Sequence, residues 1–536
     1  MFPVSPEPES QSEQSQLPTL TQALPILPSP ENEQYSPAHS AASRDASSAV
    51  IIRTPQAIAA SPSSSSSTSP SASSAGSPKA RRRNSPISPI GVTTPKTIVK
   101  KKAPASASSG KEKAEKKVGR RRGPLRPEQR QQAHEIRKLR ACLRCKFLKK
   151  VCDKGDPCGG CQPAHARLWQ VPCTRMDIKD IASFLKGWNA DYERHVNCSV
   201  SIANIKGFSQ YEHRFYITHG YGYFMPIKAH EVYVVDEKCF GVDWMEQLGP
   251  SNSQTKTFEV NTAKLAANLD TISAPMISNY LDMHIDQGFE KFVDEYFDGT
   301  KFVTELLKTT YRYYVRTQLP VIRKGLKLVV AYALTLHITL IEGLPEQQRR
   351  ESLIVDPQSR YYGKSCAPVM INFQIKKAMA DMWRELMKDI LEELSALYSS
   401  VYSGDKLKNW PTIFMTAALI LCVWELMQFD CHYRVPDEGA VKNFCHDMES
   451  VPVGVIVGLF SAISTKLPSF LEWDTRKHSH VLNNNLAVCD AMTEIRGHVE
   501  KYETYLRGRN DAKYDREDFD CLSNKFLSKL VIRANS

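Results

Sequence analysis

Six cysteines lie close together in ACLRCKFLKKVCDKGDPCGGCQPAHARLWQVPC, at Cys142, Cys145, Cys152, Cys158, Cys161 and Cys173, in the pattern C-x2-C-x6-C-x5-C-x2-C-x11-C. No other feature limits the fold as much. A segment of roughly thirty residues cannot bury enough apolar surface to build its own core, so something else must hold it together. Each C-x2-C pair can turn two thiolates toward one metal, because the short loop opens into a helix. Zinc takes four soft ligands in a tetrahedron, so six thiolates suit two zinc ions only if two sulfurs bridge. Such binding contributes on the order of 10–16 kcal/mol to folding. The alternative use of six cysteines is a disulfide framework. Nothing else in the chain reads as secreted, since MFPVSPEPES has no basic segment followed by an apolar run.

The residues between the cysteines carry a resemblance. CLRCKFLKKVCDKGDPCGGC is similar to the fungal binuclear zinc-cluster transcription factors. That family has a basic residue after the second cysteine, a lysine three further on, an Asp after the third cysteine and a loop proline. Lys146, Lys149, Asp153 and Pro157 stand at those places. The resemblance implies two Zn²⁺ ions, with Cys142 and Cys158 bridging, Cys145 and Cys152 completing one site, and Cys161 and Cys173 the other. It also implies a short first helix end-on in the DNA major groove, reading a CGG-like triplet. Lys149 is the expected base reader, since an ammonium can donate to guanine O6 and N7. Arg144, Lys146 and Lys150 are expected around the same helix, Lys146 and Lys150 on phosphates. Two features depart from the family. The last gap of eleven residues is long and predicts an inserted loop around Leu168 and Trp169. Val151 replaces a basic residue often found before the third cysteine.

Charge is distributed unevenly. The chain has 70 Lys and Arg against 58 Asp and Glu, a net +12. Lys79 to Lys150 holds 24 basic residues against 4 Glu, which leaves the remainder about −8. The positive charge thus lies before and within the cysteine stretch, where it attracts phosphate. It also offsets the net −2 of six thiolates and two Zn²⁺. Basic clusters containing Lys79, Arg81, Arg82 and Arg83, and Arg120, Arg121 and Arg122, read as nuclear localisation signals.

The predicted class is mostly α: a disordered N-terminal region, a small two-zinc six-cysteine domain, then a large, mainly helical body. Residues 1–118 are Ser/Pro-rich, with basic clusters and no sustained hydrophobic period, and are expected to be disordered. Residues 119–141 form a basic arm with a helix from Pro127, whose Arg137, Lys138 and Arg140 face phosphates. The zinc-cluster DNA-binding domain spans 142–175. Residues 176–260 hold a linker helix (Ile178, Ile181, Leu185, Trp188) and a mixed segment with strands near 213–218 and 231–235. Residues 261–536 form the helical regulatory body, with a long apolar stripe over Met379, Met382, Leu386, Ile390, Leu394, Leu397 and Val401, and Gly404 as its stop. The apolar runs Leu328–Ile341 and Ile413–Val423 read as buried helices, too short to span a bilayer. The linker is too short for a coiled coil, so dimerisation is possible but unsupported.

Other constellations are weaker. Asp282, His284, Asp286 and Glu290 share one helix, where only i, i+3 and i+4 neighbours lie on one face, so Asp286 and Glu290 can meet while His284 points elsewhere. Cys431-His432 and Cys445-His446 read as core thiols beside surface histidines. No phosphate loop, nucleophile elbow or H-E-x-x-H pair occurs, so no enzyme is predicted. The expected function is a nuclear, sequence-specific DNA-binding regulator of RNA polymerase II transcription, acting on double-stranded DNA with co-regulators and import machinery as partners, and not on membranes. The alternative is a zinc-stabilised nuclear interaction scaffold without sequence-specific DNA binding.

Overall fold

A segment apolar on nearly every side can leave water only by entering a core. NWPTIFMTAALILCVWELMQFDCHYR is such a segment, and the rest of the body is built around it. The structure, a computed structural model, describes residues 126–162, 170–185, 204–248, 254–403, 407–465 and 467–533. The N-terminal region with Lys79, Arg81, Arg82, Arg83, Arg120, Arg121 and Arg122, the loop at Leu168 and Trp169, and Trp188 and Gly404 lie outside the described residues.

In chain order, helices α1 (Pro127–Leu139), α2 (Leu143–Leu148) and α3 (Ile181–Phe184) come first. Strands β1 (Ile205–Phe208), β2 (His213–Thr218), β3 (Met225–Val234), β4 (Gly241–Leu248), β5 (Gln254–Asn261) and β6 (Leu265–Ala267) follow. Then come α4 (Ala274–Tyr296), α5 (Val303–Thr317), α6 (Pro320–Leu336), β7 (Leu340–Glu342) and α7 (Glu346–Ser352). The remainder is helical: α8 (Val369–Ser403), α9 (Trp410–Arg434), α10 (Glu438–Met448), α11 (Gly454–Ser464), α12 (Thr475–His478), α13 (Leu486–Lys501), α14 (Glu503–Arg507) and α15 (Lys525–Val531). The described chain is mostly helical, as its periodicity predicts.

The strands form an antiparallel sheet in the order β1-β3-β2-β7, with β6 also on β3, while β4 and β5 pair as a separate hairpin. β2 begins and ends where the HRFYIT alternation predicts, whereas β3 starts earlier than expected, at Met225. The mixed segment is not peripheral. β7, from between the body's helices, pairs with β2 through Ile217 and Ile341, and Phe215, Ile217 and Ile227 join the main core. The linker shows a related difference. Ile178–Asp180 is a 3-10 turn leading into the four-residue α3, and Ile178, Ile181 and Leu185 are buried in the same core.

Helix α8 runs 35 residues, and Met379, Ile390 and Leu394 of the predicted stripe are buried in it together with Trp383, Met387, Leu391 and Tyr398. Met382, Leu386 and Leu397 of the predicted stripe are only partly buried, while Trp383 meets Tyr332 edge-on in the core. Among the described helices, α9, which extends Ile413–Val423 on both sides, and the run Glu438–Ser464 are long and apolar enough by length and composition to cross a membrane, so shortness is not what marks Ile413–Val423 as a buried helix. In α9, however, 83% of the most apolar window is buried inside the protein.

That burial carries charged groups inward. Glu425 of α9, 4% exposed, accepts backbone N–H bonds from Asn524 (2.7 Å), Phe526 (2.6 Å) and Leu527 (2.8 Å), and so caps α15. Burial raises its carboxyl and the three donors oppose this; burial prevails, at about 7. At the sheet–helix contact, burial holds His284 and His337 down to about 4, and His219 well below the usual range.

A carboxyl raised above its unfolded value gives stability that is complete below about pH 4.3 and is lost as pH rises through about 7. Glu425→Gln removes that dependence. Between pH 5 and pH 8 the variant is therefore expected to gain about 2–3 kcal/mol relative to the parent, read from urea unfolding at both pH values. A constant difference between the two proteins would refute this account of Glu425.

Candidate metal centre

The cysteine stretch folds around its sulfurs. Cys142 occupies the N-cap of α2 in an extended conformation (φ −60°, ψ 153°), and its Sγ accepts from the Cys145 N–H at 3.4 Å. A sulfur here takes the place of the usual oxygen cap. Cys158 repeats the conformation (φ −65°, ψ 151°) before the short turn Gly159–Cys161. The two C-x2-C units thus aim their thiols the same way at a common centre. Between them Asp153 pins the loop, its two carboxylate oxygens each accepting a backbone N–H at 2.9 Å, from Gly155 and Gly159.

All six sulfurs come together. Cys142, Cys145, Cys152 and Cys158 form one group and Cys142, Cys158, Cys161 and Cys173 another, with the sulfurs in each within 4.8 Å of one another. The groups share Cys142 and Cys158, whose sulfurs are 3.7 Å apart. Cys142 to Cys161 is 3.5 Å and Cys145 to Cys158 is 3.6 Å. The edge of a tetrahedron with Zn–S bonds of about 2.3 Å is about 3.8 Å, so the spacing fits four-sulfur coordination of a zinc-sized ion. None of the described cysteines is in a disulfide. Burial pushes the thiols of Cys142 and Cys145 up, and that of Cys161 to about 11. Gly160 is required by close approach: a Cβ there would lie 2.9 Å from Cys145 Sγ and 2.8 Å from the Val151 carbonyl oxygen.

The expected DNA-facing residues fall into different environments. Lys149 ends α2 in the left-handed region (φ 52°) and is exposed, and its ammonium has no partner among the described residues. Lys150 is exposed, and its backbone N–H bonds to the Cys145 carbonyl at 3.0 Å. Lys146 pairs with Asp177 at 2.7 Å, and Arg140 with Asp180 at 2.8 Å. Arg137 and Lys138 are exposed on α1, which rests on the cluster through Ile136 and a Gln132 bond to the Cys152 carbonyl. Arg144 lies elsewhere than expected. It is buried, donating from Nε and Nη2 to the Val171 carbonyl (3.0 and 2.5 Å) and from Nη1 to that of Cys161 (3.3 Å). The reason is helical geometry, which turns Arg144 inward while Lys146 and Lys149 stay outside.

Sequence reasoning missed Arg175 and Val171. Arg175 bonds to the carbonyls of Arg140 (2.6 Å) and Asp153 (2.7 Å) and so joins both sides of the cluster. Val171, in the long final gap, is fully buried and packs in the body's core with Leu143 and the partly buried Phe147. Gly458 of α11 makes this possible, since a Cβ there would sit 2.6 Å from Val171 N and 2.7 Å from its Cα. The length of the gap was the only available signal, and it did not identify what the gap contacts.

The remaining constellations are structural. Asp282 and Asp286 clamp Arg323 (2.8 and 2.6 Å), and Glu290 pairs with Arg312 at 3.3 Å. His284 points into the core, bonded to the Tyr280 carbonyl at 2.8 Å. Cys431 and Cys445 are buried together, the Cys445 thiol held low chiefly by its bond with Cys431. Among the described residues, only the six-cysteine stretch gathers three or more potential metal ligands.

Comparison with known proteins adds an independent line. A family profile described as KpeA transcription factor matches residues 184–530. "Transcription factor kpeA" of Aspergillus oryzae is 62% identical over 456 residues, which is 85% of this chain and 59% of that protein. A span that long necessarily takes in the cysteine stretch, and this chain matches well under two thirds of its relative's length. No solved structure matches.

Gly458→Val places side-chain carbon against backbone that cannot withdraw, so the cluster should leave the body while both retain their internal packing. Hydrogen exchange is expected to rise at 170–174 and at α11, with the content of any bound metal unchanged. Unaltered protection at Val171 would contradict the docking.

Proposed function

The chain belongs to the KpeA transcription factor family, and from that membership we propose that it is a nuclear, sequence-specific DNA-binding regulator of transcription whose six cysteines hold two Zn²⁺ ions. The observation that carries the metal reading is the pair of four-sulfur groups sharing Cys142 and Cys158. Cys145 and Cys152 complete one site, Cys161 and Cys173 the other. When bound, the two ions supply a folded scaffold in place of an apolar interior.

The residues around the scaffold suit phosphate and base contacts. Lys149, exposed at the C-terminal end of α2, reads bases in a CGG-like triplet. Lys150, Arg137 and Lys138 meet phosphates. Lys146 and Arg140 join them by exchanging Asp177 and Asp180 for phosphate, which is feasible because exposed ion pairs are weak. The basic clusters at Lys79–Arg83 and Arg120–Arg122 direct nuclear import. No catalytic residue is assigned. A second reading, a zinc-stabilised interaction scaffold, draws on the packing of Leu143, Phe147 and Val171 against the chain's own body.

Elemental analysis of the purified chain is expected to give two zinc ions per molecule; fewer than one would overturn the metal reading. In gel shifts with the full chain at moderate salt, CGG-bearing duplexes should outcompete scrambled ones, whereas sequence-blind, steeply salt-dependent binding would favour the scaffold. Lys149→Ala should cost about 1–3 kcal/mol on the preferred duplex and flatten its selectivity. An equal loss on both duplexes would remove Lys149 as the base reader.

A further inference from the structure

A cavity of 320 Å³ lies in the helical body, bordered by β4, the end of α4, and helices α8 and α9. It is remote in sequence from the cysteine cluster, and the reading above assigns it no role. Its size suits a small organic molecule.

Two buried side chains in its wall are left without partners. Thr339 Oγ1 and Asn372 Oδ1, on residues 1% and 4% exposed, make no hydrogen bond within the protein. Buried polar atoms in that condition destabilise a fold unless something else meets them. Water can do so in a small polar niche. This wall mixes polar side chains with rings, among them Trp244, Tyr296, Tyr361 and Phe429, so a ligand that carries both kinds of surface can take the place of that water. The site is also charged inside. Asp430, 2% exposed, pairs with Arg434 at 2.6 Å.

The balance of charge selects the ligand. Six acidic side chains line the cavity against three cationic ones, Arg360, Lys376 and Arg434. Glu246 and Asp430 already pair with Arg360 and Arg434, burial pushes Asp430 up and Asp520 to about 6, and Glu295 and Asp298 are exposed. An anion would face a net negative lining, while a cation gains from both the carboxylates and the ring faces. We propose that this cavity binds a small aromatic amine, its ammonium held by the carboxylates and rings, and a second polar group meeting Thr339 and Asn372.

The test uses the full chain and four probes of matched shape: tyramine, its neutral alcohol tyrosol, its acid 4-hydroxyphenylacetate, and phenethylamine, which lacks the phenol hydroxyl. Ligand-observed NMR and titration calorimetry are expected to show tyramine binding about tenfold or more tighter than the acid. Glu295→Gln combined with Asp298→Asn, both exposed and compatible with folding, should shrink that preference at least about threefold. Thr339→Val, nearly equal in volume, should weaken tyramine and tyrosol but leave phenethylamine unchanged. Absence of binding by all four probes at millimolar concentration, tighter binding of the acid, or a charge preference untouched by the Glu295/Asp298 variant would each overturn the proposal.

Discussion

Crowding of six sulfurs into one small volume is the constraint on which the segment from α1 to Cys173 depends. A segment this short has few apolar residues, and those it has do not form an interior of their own. Leu143 and Val171 belong to the core of the body, and Phe147 packs against it. What remains inside the cluster is sulfur, backbone and the N–H groups that point at sulfur. The module is therefore held from two sides, by its cysteines within and by the body without. Arg144 and Arg175 tie these together, since each donates to carbonyls from separate parts of the stretch.

The same economy of partners runs through the body. Several charged groups enter the core where the backbone, a hydroxyl or an opposite charge receives them. Glu425 meets three N–H groups of α15, Asp430 meets Arg434, and Lys327 meets Asp282 and Ser278. Leaving any of these unpaired would be costly, because a buried charge without compensation is among the most destabilising features a fold can carry. Among uncharged groups, Thr339 Oγ1 and Asn372 Oδ1 are two of several buried polar atoms without a partner among the described residues, and both lie in the wall of one cavity.

Electrostatics also arranges the outer face of the cluster. Asp177 and Asp180 follow directly after the last cysteine and hold Lys146 and Arg140. Asp177 is half buried; burial raises its carboxyl, but the bond and charge of Lys146 outweigh this and keep it ionised. A short acidic turn therefore lies where a phosphate backbone could compete for the same cations. Lys149 and Lys150 are outside that turn, which distinguishes them from other basic residues of the stretch.

Much of this was readable from one dimension. Cysteine spacing identified the six residues that meet, because a C-x2-C loop has few ways to direct its thiols. Alternation in HRFYIT located a strand, and the all-round apolarity of α9 put it inside, because those periodicities translate directly into faces. Partners across long separations were not readable. Nothing local marks Val171 as a residue that meets Gly458, Glu425 as a cap for a helix a hundred positions later, or Ile341 as a strand neighbour of Ile217. Arg144 and Lys146 are both basic residues of one six-residue helix, but Arg144 turns inward to the Val171 and Cys161 carbonyls while Lys146 faces Asp177. Sequence determined which groups could coordinate, pair or leave water, since that follows from chemistry and short-range spacing. Tertiary structure alone decided which of them found each other, since that depends on packing between segments distant along the chain.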